Sequence, residues 1–397
     1  MRYRYILFLI LGIDALVLLS QTSSLSISYN ESIILYGDFS FLQFIIKSSI
    51  QLFGQNDFAL RFPMIVLHIL SAFLLYEISN KYLKDDRSRL WLVLVFVLLP
   101  GVISSAIIVD GAGLLIFGLL LFVYAYEHFS KTCIYIILST YAVIDGGFLY
   151  LFLSLAVYSI YTSQKQFFLF NIFAFFTSIF IYGVEARGVA KGHFLDSIAV
   201  YAAIFTPIIF IYIFYILYRK YLTKEIDMLW FISSIAFIIS LLLSFRQRIE
   251  LEHFAPYLII ALPLAGQTFY HSYRVRLRVF RTKYKLAFVV SLILLVSNSL
   301  VVFFNKELYL VLEKPQQHFA YNMHIAKELA EILKAKGINC ISANKKISSR
   351  LRFYGVTNCN DYKLFENRIK DNKKSNVTIS YKNKLIYKAN VSKSNSD

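Results

Sequence analysis

Charge is scarce in this sequence. Asp, Glu, Lys and Arg make up only 16% of its 397 residues, where a soluble domain carries about a quarter. Cysteine is scarcer still. Cys133, Cys340 and Cys359 are too few for a disulfide-dense scaffold. No Cys-x-x-Cys pair, zinc-ligand spacing, P-loop or dinucleotide-binding glycine pattern occurs. The short alternating segments of a membrane barrel are also missing.

What the chain has in excess is apolar residues, at 58%. Before Asn305 they gather into long runs separated by short polar stretches, and after it the chain turns polar and Lys-rich. A helix crosses the hydrocarbon core with about 20 mostly apolar residues, fewer where its ends snorkel. Lipid cannot satisfy backbone polar groups, so continuous apolar runs imply spanning helices. The fold expected is an all-α polytopic membrane bundle of about 11 transmembrane helices with a small C-terminal α/β extracytoplasmic domain. The runs predict spans near 5–21, 62–79, 90–107, 111–127, 133–145, 148–162, 167–184, 199–217, 227–244, 254–270 and 286–304. The first could be a secretory signal, but its cleavage site is weak, which favours an uncleaved helix. The domain boundary falls at 304/305.

The net charge of +17 is placed for topology rather than nucleic acid. With a cytoplasmic N-terminus, seventeen Lys and Arg fall in inside loops, among them Lys81, Arg219, Lys220 and the run Arg274–Lys285. Six fall in outside loops before Asn305: Lys47, Arg61, Arg187, Lys191, Arg246 and Arg248. This asymmetry follows the positive-inside rule. It leaves residues 305–397 outside, in the periplasm if the source is a Gram-negative bacterium. The basic run could also bind anionic lipid. In the C-terminal domain, Phe319, Met323, Ala326, Ala330 and Leu333 keep helical spacing up to a C-cap at Gly337. A strand over 338–342, a short helix over 347–354 and a hairpin of 377–381 with 385–391 follow, and 392–397 is expected to fray.

Candidate site residues lie in the outside loops. The first such loop holds Asn30, Glu31 and Asp38, then an amphipathic stretch, Phe41 to Phe53, suited to the membrane surface. The second holds Asp110, at the end of an apolar run, where facing lipid would be costly; it could equally cap the next helix. Another gathers Arg246, Arg248, Glu250, Glu252 and His253. A guanidinium fork matches phosphate oxygens, although these arginines could merely pair with their acidic neighbours.

Several segments resemble a known family. Leu52-Phe-Gly-Gln-Asn-Asp-Phe-Ala-Leu-Arg-Phe-Pro63 opens one span, Leu98-Leu-Pro-Gly101 leads to Ile108-Val-Asp110, and Glu252-His-Phe-Ala-Pro-Tyr257 precedes Leu262-Pro263. The pattern is loose and covers about residues 25–265. It is similar to the C-type membrane glycosyltransferases of the protein O-mannosyltransferase and aminoarabinose (lipid A) transferase type. The resemblance implies a polyprenyl-phosphate sugar donor and a lipid, protein or glycan acceptor on the outer face of the inner membrane. It implies an acidic centre of Glu31 and Asp110, with Glu31 as the base, and a donor phosphate held by Arg246, Arg248 and His253. No cofactor is certain, and a divalent cation is possible. Two departures stand out. Asn30 occupies the place of the family's usual aspartate, and Asp145-Gly146-Gly147 replaces a common Lys-Gly-Pro. Two rival readings are a catalytically degenerate relative kept for binding or assembly, and a transporter or flippase of polyprenyl-linked sugars.

Overall fold

The computed structural model describes residues 2–183, 192–366 and 376–393. Arg187, Lys191 and residues 394–397 lie outside them. In chain order the helices are α1 (Arg2–Thr22), α2 (Tyr29–Tyr36), α3 (Phe41–Phe53), α4 (Asp57–Ile78), α5 (Asp86–Leu98), α6 (Pro100–Ile107) and α7 (Gly111–His128). Next come α8 (Lys131–Ile144), α9 (Leu149–Tyr161), α10 (Lys165–Tyr182), α11 (Phe194–Phe205), α12 (Pro207–Leu222) and α13 (Met228–Ser244). The last are α14 (Ala255–Ile259), α15 (Leu262–Val275), α16 (Arg278–Phe303), α17 (Leu308–Val311), α18 (Ala326–Ala335) and α19 (Lys345–Phe353). Strands β1 (Tyr362–Glu366), β2 (Val377–Tyr381) and β3 (Lys384–Lys393) close the chain.

The expected apolar runs are all helical, but eleven straight crossings are not what forms. Among the described residues, five helices are long and apolar enough to span a bilayer: α1, Asp57–Lys81, α7, α10 and Phe280–Phe303. Three further candidates are bent pairs, α2/α3 at 90°, α5/α6 at 62° and α11/α12 at 106°. The breaks have local causes. Proline opens α6 and α12, where its missing N–H costs nothing and the residue before it is driven out of helical geometry. At the sharper break Thr206 takes φ +64°. The amphipathic stretch expected from Phe41 to Phe53 is helix α3, and α2 before it lies in what the sequence reads as the rest of the first outside loop. Helices α8, α9 and α13 are apolar but shorter. Several helices are thus able to span a membrane, as a membrane protein requires.

The chain forms two compact units, and neither follows a single cut at 304/305. The first comprises Met1–Leu16 and Met64–Ser299, the second Val17–Pro63 and Leu300–Asp397. Residues 17–63, assigned from sequence to the membrane domain, instead pack with the C-terminal residues.

The first unit is a helical body with a continuous apolar core, including Phe96, Phe122, Phe148, Phe152, Tyr201 and Tyr257. Close packing stands in for the hydrophobic drive that lipid does not supply. Tyr141 stacks on Phe148 at 4.2 Å between ring centres. Gly118 makes room for that ring, since a Cβ there would sit 2.4 Å from Phe148 Cζ.

The second unit sets α2, α18 and α19 with a three-stranded antiparallel sheet of order β1-β3-β2. Its core includes Leu329, Leu333, Leu351, Val377, Ile379 and Ala389. The β2/β3 hairpin and the helix near 347–354 follow the sequence pattern, and Gly337 takes φ +73° after α18. β1 was not foreseen. The expected strand at 338–342 makes only isolated bridges, Cys340 to Thr357 and Ser342 to Lys363. Cys340 and Cys359 form a disulfide with Cα atoms 5.4 Å apart.

Candidate functional site

Three chain breaks in the first unit meet around the start of α7. Asp110 precedes that helix in extended backbone, φ −143°. Its Oδ1 accepts from the Ala112 N–H at 3.0 Å, as an N-cap should. Asp145 lies in the break between α8 and α9, where its Oδ1 accepts from the Gly147 N–H at 2.7 Å. His253 closes a 3-10 turn, Leu251–His253, just before α14.

Glycine brings these groups together. A Cβ on Gly111 would lie 3.7 Å from Asp145 Oδ2 and 4.0 Å from His253 Nε2. A carboxylate and an imidazole therefore face the same backbone position, one residue from Asp110. Gly147 is required by close approach, because a Cβ there would stand 2.4 Å from Leu115 Cδ1. Its carbonyl accepts from the Tyr257 hydroxyl at 2.7 Å, which pins the Asp145 turn against α14. Asp110, Asp145 and His253 are each half-buried. Burial raises the Asp145 carboxyl above its ordinary range, against the opposing pull of the Gly147 N–H and His253.

Arg246 and Arg248 are exposed in the turn that follows α13, ahead of His253 in the chain. Among the described residues, neither is ion-paired with Glu250 or Glu252. The simplest alternative for the two arginines, pairing with their own loop, is therefore not what forms.

Glu31 is a different kind of residue from the one expected. It belongs to the second unit and is fully buried. Its Oε2 accepts from the Ser28 N–H at 2.7 Å, the Ser28 hydroxyl accepts from the Glu31 N–H at 3.1 Å, and this capping box starts α2. The same Oε2 meets Arg61 Nη2 at 3.2 Å. Arg61 is itself fully buried, donating also to the carbonyls of Leu25 at 2.8 Å and Ser26 at 3.0 Å. Asp57 extends the network, 3.9 Å from Arg61 and 3.0 Å from Lys327. The Tyr354 hydroxyl donates to Asp57 at 2.6 Å and accepts from the Ile27 N–H at 2.9 Å. Burial and the Asp57 charge hold that phenol well above its usual range, so it stays a donor. A carboxylate so engaged cannot reach a substrate without unmaking α2. Asn30, its neighbour, is exposed.

Two features escaped the sequence reading. The first is Asp145 as a site residue: in the sequence its Asp-Gly-Gly marks a break or kink between apolar runs and a departure from the family pattern, but no site role. The second is a pair inside the helices. Asp14 of α1 meets His68 of α4, Oδ2 to Nε2, at 2.7 Å, with Phe96 stacked on the imidazole at 5.6 Å. Each is a lone ionisable residue within an apolar run, which is the mark of a partnered group.

One set of metal-type ligands occurs among the described residues, Cys340, Cys359 and Asp361, and its two sulfurs are joined in the disulfide. No family model matches the chain, and no curated protein is significantly similar to it.

Proposed function

We propose that this chain is a membrane glycosyltransferase, moving a sugar from a polyprenyl-phosphate-linked donor to an acceptor on the outer face of the membrane. The observation that supports it most is the meeting of Asp145 and His253 over Gly111, beside Asp110, with two exposed arginines in the adjoining turn. The acceptor hydroxyl oxygen attacks the anomeric carbon, and the bond from that carbon to the donor phosphate oxygen breaks. The carrier phosphate leaves with the electron pair. The acceptor proton passes to a carboxylate, which general-base catalysis makes worth about a hundred- to ten-thousand-fold. Asp145, raised by burial, is our choice of base in place of Glu31, with Asp110 orienting the acceptor. Arg246, Arg248 and His253 face charge developing on the leaving phosphate.

The topology that goes with this reading has the N-terminus in the cytoplasm and the second unit outside the inner membrane. A disulfide in that unit supports it, since disulfides persist in oxidising compartments. A phosphatase reporter fused after Asp397 should be active, and one that folds only in the cytoplasm should be dark.

The deciding experiment compares carrier lipids and surface glycans by mass spectrometry in cells with and without the gene, complemented by the native chain, Asp145→Asn or Asp110→Asn. A glycan unit lost on deletion and not restored by Asp145→Asn supports transfer. Glycans unchanged by deletion would sink it, and carrier lipid trapped inside would replace it with a flippase. The second reading, a degenerate relative acting in binding or assembly, is favoured by Glu31 being locked to Arg61 beside an asparagine. It wins if both aspartate variants restore the glycan in full.

A further inference from the structure

At the opposite end of α13 from Arg246 and His253, the first unit holds a second polar cavity. The helix has 17 residues, so the two ends are roughly 25 Å apart. The cavity, about 470 Å³, is formed where the C-terminal turn of α12 and the loop into α13 meet α15. That volume lies in the range of small-molecule sites, about 300–1,000 Å³.

Its two cations, Lys220 and Arg219, share the wall with two acids, Glu225 and Asp227, and Lys220 is ion-paired with Glu225. Lys220 keeps only 10% of its side chain exposed. Its Nζ has Gln267 Oε1 at 3.2 Å and Glu225 no nearer than 3.7 Å. Glu225 itself is 71% exposed at the rim. Arg219 is exposed, with one long hydrogen bond, 3.5 Å, to the Ser272 hydroxyl. The other acid of the lining, Asp227, is spoken for: Oδ1 caps α13 through the Trp230 N–H at 3.0 Å, and Oδ2 accepts from the Tyr82 hydroxyl at 2.8 Å. Thr223, Thr268 and His271 complete the polar wall. A buried ammonium beside an exposed guanidinium fork is a pair that suits phosphate oxygens.

We propose that this cavity binds a phosphate group, with Lys220 as the buried anchor and Arg219 as the outer clamp. The inference does not rest on the transferase reading. Two sources share this chemistry, an anionic lipid headgroup reaching in from the bilayer and a soluble polyphosphate.

The full chain, purified into phosphatidylcholine nanodiscs, separates them. Phosphatidic acid adducts are counted by native mass spectrometry, and inorganic pyrophosphate binding is followed by thermophoresis. The double variant R219Q/K220Q should weaken at least one probe tenfold or more. The charge-preserving R219K/K220R should retain most of the binding, which separates lost charge from lost fold. K283Q/K285Q removes two exposed charges of the neighbouring basic run and should change neither probe more than twofold. Loss of phosphatidic acid alone names the lipid, and loss of pyrophosphate alone names the soluble ligand. If R219Q/K220Q does not fold, Arg219→Gln alone, on an exposed side chain, carries the test with a threefold loss expected. The proposal is overturned if neither probe binds the native chain, if the Gln variants bind both unchanged, or if K283Q/K285Q loses as much.

Discussion

Two charged clusters, one in each unit, are held in opposite ways. In the second, Arg61 and Glu31 are wholly enclosed, yet they are met by backbone carbonyls, a capping serine and each other. In the first, Asp110, Asp145 and His253 are half-buried around two glycines, and the Asp145 carboxyl is raised by burial. A charge enclosed and held by several fixed partners specifies a fold. A charge held by one backbone N–H, with an imidazole near its other oxygen and a glycine's worth of space beside it, is able to act on something else. The contrast shifts the candidate base from Glu31 to Asp145, although position in the chain had favoured Glu31.

The sharpest break of that contrast is catalytic. Asp145→Asn should lower transfer by a hundred- to ten-thousand-fold, and Asp110→Asn by at least tenfold, with amide protection in the second unit unchanged. Glu31→Gln should leave turnover per folded molecule within a few-fold, because its amide oxygen can still accept from Ser28. If Glu31→Gln instead abolishes turnover in folded protein, the contrast is wrong.

Next in size is the cost of stranding a buried charge. Arg61→Leu leaves Glu31 enclosed without its cation, a loss of about 3–5 kcal/mol. Hydrogen exchange should show α2 and α19 opening while α7 and α13 stay protected. Equal loss of protection in both units would mean that they do not unfold separately.

Removing the disulfide comes third. Cys340 and Cys359 are 19 apart in sequence, and closing a loop of that size is worth about 3 kcal/mol in the chain-entropy account. Cys340→Ser with Cys359→Ser should lower the denaturation midpoint of the second unit alone.

Over the window from pH 7 to 5, the smallest effect is that of pH. Burial and the Lys306 charge depress His324 to about 3, and burial also lowers His318. The unfolded chain, with ordinary imidazoles near 6.5, binds more protons between those values. Stability of the second unit is therefore full above pH 6.5. It falls as pH drops toward 3, by at most about 1.4 kcal/mol per pH unit for each histidine. Acid-induced opening should be confined to the second unit between pH 7 and 5; a stability that rises on acidification would refute the buried neutral imidazoles.

Much of the helical body was legible from hydropathy alone, because an apolar run long enough to cross lipid has few other ways to satisfy its backbone. Its bends were less so. The amphipathic Phe41–Phe53 stretch is visible in the sequence, but α2 lies within an outside loop, and the prolines that open α6 and α12 lie inside runs that hydropathy reads as continuous. In the site, Asp110 stood out by lying at the end of a run, and it does cap α7. Asp145 was hidden in plain view, since its partners Gly111 and His253 are 34 residues before it and 108 after it, and no local pattern records that meeting. Arg61 looked like one more loop charge. Only the carbonyls of Leu25 and Ser26, presented by a turn far earlier in the chain, reveal why it is buried.

The second unit is sewn from two stretches that leave the ribosome far apart. Residues 17–63 are made early, and the Lys327 and Tyr354 that complete Asp57 arrive only after the 236 residues from Met64 to Ser299. At about 5–20 residues per second, that interval is roughly ten to fifty seconds. Throughout it Asp57 lacks Lys327 and Tyr354, α2 lacks α19, and the exposed side of α3 carries Phe41, Phe44 and Phe53. A nascent chain stalled before residue 300 should therefore be held by chaperones or cut by proteases within 17–63, and the same segment should become resistant once Tyr354 has emerged.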